Sequence, residues 1–191
     1  MTYPIYPVWA SFLSAFVLNV IPFGAPPYVI FVAYEARYGG LGLWPPILAA
    51  AAGAALAKMI MYVFGIGLRG PLRRNRNVRL LARYSDSRWA YLLAFVSTVV
   101  PVVPLDDFVY IAGGASGLRA KLMAAAAVTG KFVKTIVEVT AFIYLSGAIS
   151  GLTHVPEVYI MLVFVVGGAV AGLATFLADW ESWARRLGLR I

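Results

Sequence analysis

The chain has no cysteine and no glutamine, a single histidine, and three asparagines (Asn19, Asn75, Asn77) among its 191 residues. Without cysteine there are no disulfides, no cysteine-ligated zinc and no thiol nucleophile, and the redox compartment stays undetermined. His154 stands beside Pro156 in a predicted loop, and a lone loop histidine is no metal site. Few asparagines and no glutamine fit a thermophilic source. Acidic residues are also scarce, 8 against 16 lysines and arginines, for a net charge of +8. The N-terminus MTYPIYPVW lacks a basic n-region and a small-residue cleavage site, so no secretory signal is expected.

What is there is apolar. At 62% hydrophobic residues the chain exceeds what a soluble core of this size requires, and one membrane domain over 1–191 is expected. The positive charge is clustered. Arg69, Arg73, Arg74, Arg76, Arg79, Arg83 and Arg88 crowd one connection, Arg119 and Lys121 the next, and Arg185, Arg186 and Arg190 the tail. No nucleic-acid-binding motif accompanies them. They read as cytoplasmic loops obeying the positive-inside rule and touching anionic head groups.

Val8 to Ile21 is apolar but only about 21 Å long as a helix, short of a core of about 30 Å. It stops at Pro22-Phe23-Gly24-Ala25-Pro26-Pro27, and Tyr28 to Ala36 follows. Prolines remove helical hydrogen bonds and forbid a straight continuation. The segment 8–38 therefore reads as a re-entrant hairpin or as one kinked spanning helix. A span at 43–68 follows, rich in alanine and carrying Lys58, then the basic connection 69–88. The pattern then recurs. The segment 89–117 is a second hairpin broken at Pro101 and Pro104, and 120–147 is a second alanine-rich span. A further span is expected over 157–179, with Asp179, Trp180, Glu181 and Trp183 at the interface. The charge rule puts the two hairpins on opposite sides of the membrane. The expected fold is an all-α integral membrane protein of two inverted repeats, each a proline-broken re-entrant helical hairpin plus a spanning helix. That is the layout of secondary transporters, with binding at the repeat interface.

Charged residues inside hydrocarbon are costly and default to a functional reading. Asp106 and Asp107 follow the second break, where a new half-helix leaves free N–H groups. One of them is a candidate N-cap for Phe108 to Gly117. Two carboxylates so close repel, so one is expected to hold a proton, which suits proton coupling. Lys131, Lys134 and Glu138 are spaced i, i+3, i+7 on one helical face, with Lys134 and Glu138 as an i, i+4 pair. Lys131 has no partner on its own helix, and Asp106 or Asp107 is the candidate across the hairpin. Lys58, Lys131 and Lys134 are the candidate head-group binders, and Asp106, Asp107 and Glu138 the candidate proton carriers. Glu35 and Arg37 are either gate residues at the mouth of the first hairpin or ordinary interface residues. Gly130-Lys131 fails as a P-loop, since Ala125 and Phe132 stand where glycine and serine or threonine belong. An intramembrane aspartyl protease needs carboxylates that meet, and adjacent aspartates are expected to point apart. No enzyme activity, metal or cofactor is expected.

These motifs, in their order, resemble the DedA family, also called the VTT-domain or SNARE-associated Golgi protein family. The resemblance covers Val20 to Tyr144 and rests on PFGAPP (Pro22 to Pro27), the basic connection, PVVPLDD (Pro101 to Asp107), Gly113-Gly114 and TGK (Thr129 to Lys131). It implies opposed re-entrant hairpins around a lipid-sized path and translocation of polyprenyl phosphates or phospholipids. Bacterial members often carry a glutamate where this chain has Ala25-Pro26-Pro27, and two arginines where it has Thr98 and Pro104. Asp106-Asp107 and Lys131 look more like the archaeal-type branch. The expected function is a flippase or scramblase for an anionic lipid in the cell membrane. The alternatives are a proton-coupled transporter of small solutes or ions and a non-transporting assembly protein. Gly167-Gly168 permits contacts within the chain or in a homo-oligomer.

Overall fold

The computed structural model describes residues 8–21, 28–83, 85, 87–100, 105–157 and, beyond them, 159, 160, 162, 163, 166, 167 and 170. Pro22, Pro26, Pro27, Pro101 and Pro104 lie outside the described residues, as does most of the 157–179 segment. Among the described residues the fold is entirely helical, with α1 (Val8–Val20), α2 (Val29–Tyr38), α3 (Trp44–Gly67), α4 (Arg69–Leu72), α5 (Arg76–Arg83), α6 (Arg88–Val99), α7 (Leu105–Ser116) and α8 (Ala120–Thr153).

Local chemistry sets these boundaries. Pro45 and Pro46 occupy the first turn of α3, where a missing N–H costs nothing. Ser87 caps α6, its side chain accepting from the Trp89 N–H at 3.3 Å. A Schellman motif closes α7. Gly117 sits at φ +87°, the Leu118 N–H donates to the Gly113 carbonyl at 3.0 Å, and the Gly117 N–H reaches Gly114. His154, expected in a loop, is the left-handed residue that ends α8.

Two of the helices, α3 and α8, are long and apolar enough to cross a membrane. At 24 and 34 residues they measure about 36 and 51 Å, so α8 overshoots a core of about 30 Å. It runs six residues past the expected end at 147, to Thr153.

Side-chain size is distributed in the reverse of a soluble core. Buried positions are mostly small: Ala15, Ala33, Ala50, Ala54, Ala94 and Ala127 are fully enclosed. Large apolar side chains such as Val63, Phe64 and Val137 are more than half exposed. In lipid the outer face needs no covering, and small inner residues let backbones approach. The α3–α7 crossing depends on this. A Cβ on Gly65 would collide with the Ile111 carbonyl, and one on Gly114 with that of Tyr62.

Helix α3 packs against α1, α7 and α8, while α8 packs against α3, α6 and α2. The basic connection is itself partly helical. Val78 of α5 is buried against Ala112 and Ala115 of α7, and Arg79 and Arg83 stay exposed.

Candidate functional site

The alanine-rich stripes of α3 and α8 bring two lysines face to face with the start of α7. Lys58, Asp106, Asp107 and Lys131 are buried, each at most 6% exposed. Lys131 Nζ lies 2.8 Å from Asp106 Oδ2, and Lys58 Nζ lies 3.3 Å from that same oxygen. Lys58 also closes on Asp107 Oδ1, its tightest contact. Two ammonium groups thus face two carboxylates, and the cluster is formally neutral. Its carboxylates also gain from the free N–H groups of the α7 terminus.

Helix α7 begins at Leu105, so both aspartates sit inside its first turn and neither is the expected cap of a helix starting at 108. Asp106 Oδ1 instead accepts from the Asp107 N–H at 3.1 Å. Nor do the two side chains point apart, because one lysine reaches both.

Three polar residues not singled out for the site from the sequence lie in it or beside it. Asn19, on the last turn of α1, accepts from Lys131 Nζ at 2.9 Å through Oδ1. Its Nδ2 donates to the Ala15 carbonyl at 2.8 Å, which turns the oxygen toward the lysine. One turn along α8 from Lys131, the Thr135 hydroxyl meets the Tyr28 hydroxyl at 2.8 Å. The available signal for Asn19 was a polar residue closing an apolar arm just ahead of a proline break, as Thr98 does in the second arm.

The remaining expected site residues lie apart. Lys134 and Glu138 are half-buried and 3.9 Å apart, and Lys134 also donates to the Val100 carbonyl at 3.4 Å, past the end of α6. Of the lysine–glutamate face on α8, only Lys131 reaches the aspartates in an ion pair. Glu35 and Arg37 diverge. Glu35 turns inward to the Ser11 hydroxyl, and Arg37 turns outward to Glu157 at 2.7 Å. Tyr38 donates to the other oxygen of Glu157 at 3.2 Å. Among the described residues no three metal-ligating side chains cluster.

Chemically, paired ammonium and carboxylate groups of this kind are able to exchange partners. A phosphate-like anion entering the cluster competes with the aspartates for ammonium groups, and a proton on either aspartate loosens its lysine. Comparison of the chain with protein-family models, curated proteins and solved structures found no match.

Proposed function

We propose that the protein is a multi-pass translocase of anionic lipids in the cytoplasmic membrane, of the DedA type, built from two inverted units. The observation that carries this reading is the buried Lys58–Asp106–Asp107–Lys131 cluster, because its four charges come from the long helices of both units and from the second hairpin. Ionisable groups at such depth mark a transport path by default.

The unit structure is supported by a constant spacing of 79 positions between the hairpins, from Pro22 to Pro101. At that spacing Leu13, Ala15, Phe16, Val17 and Val20 meet Leu92, Ala94, Phe95, Val96 and Val99. Ala33 and Ala36 meet Ala112 and Ala115, and all four are buried. Asn19 and Thr98 coincide, and each side chain donates to the carbonyl four residues back. Each unit's second arm packs on the other unit's long helix, α2 on α8 and α7 on α3. The polar links follow suit, with Tyr28 reaching Thr135 and Asp107 reaching Lys58. Such an exchange fits inverted repeats that bind at their interface.

In this reading the phosphate of the lipid takes Lys131 and Lys58 from the aspartates. Its chains stay outside, against the apolar outer faces of α3 and α8. Purified protein in vesicles should exchange a labelled phospholipid or polyprenyl phosphate between leaflets faster than empty vesicles do. Asp107→Asn or Lys131→Ala should slow that exchange by roughly tenfold or more, the effect of about 1.4 kcal/mol on the barrier. No exchange of either lipid by folded protein refutes the translocase and favours a small-solute transporter.

A further inference from the structure

Glu35 is 2% exposed, and among the described residues its carboxylate meets one hydroxyl, that of Ser11 on α1. Its Oε1 is buried with no hydrogen-bond partner. A carboxylate shut away from water with so few polar partners carries a desolvation penalty unless a cation or a proton neutralises it.

Among the described residues no cation is placed to do so. Helix α1 carries no ionisable side chain. On α3, Lys58 is held by the aspartates and the Tyr62 hydroxyl donates to the Leu118 carbonyl. On α8, Lys131 is taken by Asp106 and Asn19, and Lys134 by Glu138 and Val100. Lys121 lies at the far end of α8 from Ile143, whose carbonyl Arg37 contacts, and Tyr144 is exposed. On α2 itself, Arg37 and Tyr38 turn to Glu157, and Tyr34 is exposed.

We infer that Glu35 with Ser11 forms a proton-binding site on the first hairpin, separate from the lysine–aspartate cluster. The carboxyl takes a proton on Oε1 and keeps the Ser11 contact through Oε2. The repeat makes the site one-sided. At the 79-residue spacing Ser11 falls on Ala90 and Glu35 on Gly114, so the second hairpin has the scaffold without the acid. The site is also wired to the cluster through its own helices. Ser11 and Asn19 share the buried face of α1, about 12 Å apart, and Glu35 lies about 10 Å along α2 from Tyr28. Asn19 holds Lys131, and Tyr28 holds Thr135. On the translocase reading, which this role in coupling rests on, Glu35 rather than Asp106 or Asp107 carries the coupled proton, since each aspartate already has an ammonium partner.

The test is infrared difference spectroscopy of the full chain in lipid between alkaline and acid pH, read alongside lipid exchange. Wild type should show a protonated-carboxyl C=O band that Glu35→Gln removes and Ser11→Ala shifts. In vesicles, the ratio of gradient-driven to gradient-free exchange should fall to one in Glu35→Gln. Identical spectra for wild type and Glu35→Gln overturn the site. Should Glu35→Gln not fold, an unshifted band in Ser11→Ala does the same. The spectrum is read without transport, so a wild type that shows the band but moves no lipid rejects the translocase and leaves the proton site standing.

Discussion

Replacing Lys131 by methionine keeps the length of the side chain and removes its charge. Asp106 then keeps only Lys58, whose nitrogen is 3.3 Å from Oδ2 and is engaged more closely by Asp107. The buried cluster passes from two charges of each sign to one excess negative charge. Breaking a buried pair from one side costs about 3–5 kcal/mol. The shared lysine puts this case near the lower end, about 3 kcal/mol, or more than a hundredfold in the unfolding constant. Asp106→Asn alone should cost a similar amount, leaving Lys131 with Asn19 only. The double variant restores neutrality, and apolar replacement of a whole buried pair is often close to neutral. Unfolding by denaturing detergent in mixed micelles supplies the four corners of the cycle. A coupling energy of about 2 kcal/mol or more is expected between positions 106 and 131. Single variants within about 0.5 kcal/mol of wild type, or a double variant equal to the sum of the singles, would refute the pairing and with it the proposed exchange of charge partners.

Gly65→Val and Gly114→Val should each destabilise the fold by about 1–3 kcal/mol of overpacking, read as a lower melting temperature, because their Cβ atoms meet backbone carbonyls that cannot move aside. Gly151→Ala, whose Cβ meets nothing, is the control for the same thermal measurement. Arg37→Ala should cost under about 1 kcal/mol, and less in high salt, since the Arg37–Glu157 pair is partly exposed at 34% and 16%. A large, salt-independent loss in thermal unfolding would contradict that. Tyr28→Phe removes one neutral hydrogen bond worth about 1 kcal/mol, and lipid exchange should slow more than that loss of stability explains. Changing exposed Arg73, Arg74, Arg79 and Arg83 to serine should weaken the preference for anionic lipid by about 1 kcal/mol per charge, measured as enrichment of labelled anionic over neutral lipid around the reconstituted protein.

Much of the fold was legible in the chain because the relevant forces are local. Helix starts follow from Pro45-Pro46 and Ser87, the α7 stop from Gly117, and the lengths of α3 and α8 from uninterrupted apolar residues. The cost of charge in hydrocarbon put Lys58, Asp106, Asp107 and Lys131 among the candidates, together with Lys134 and Glu138. Residue spacing alone did not reveal how far the cluster extends. Lys131 and Glu138 differ by about 20° around α8, yet they are about 10 Å apart along it. Only Lys131 is level with Asp106, and that level is set by where α7 crosses.

What the sequence determined by itself is therefore the helical content, the two long apolar helices, the clustered basic charge and the short list of costly charges. The tertiary structure alone decided which charges neutralise each other, that Asn19 joins them with the Tyr28–Thr135 pair one turn away, and that Glu35 is enclosed with no cation among the described residues while Arg37 faces outward. The physical reason is one of range. Propensity and desolvation act on each segment separately, whereas pairing depends on angles and levels between helices far apart in the chain. Here those are set by glycines and alanines, which carry no chemical signal of what they will touch.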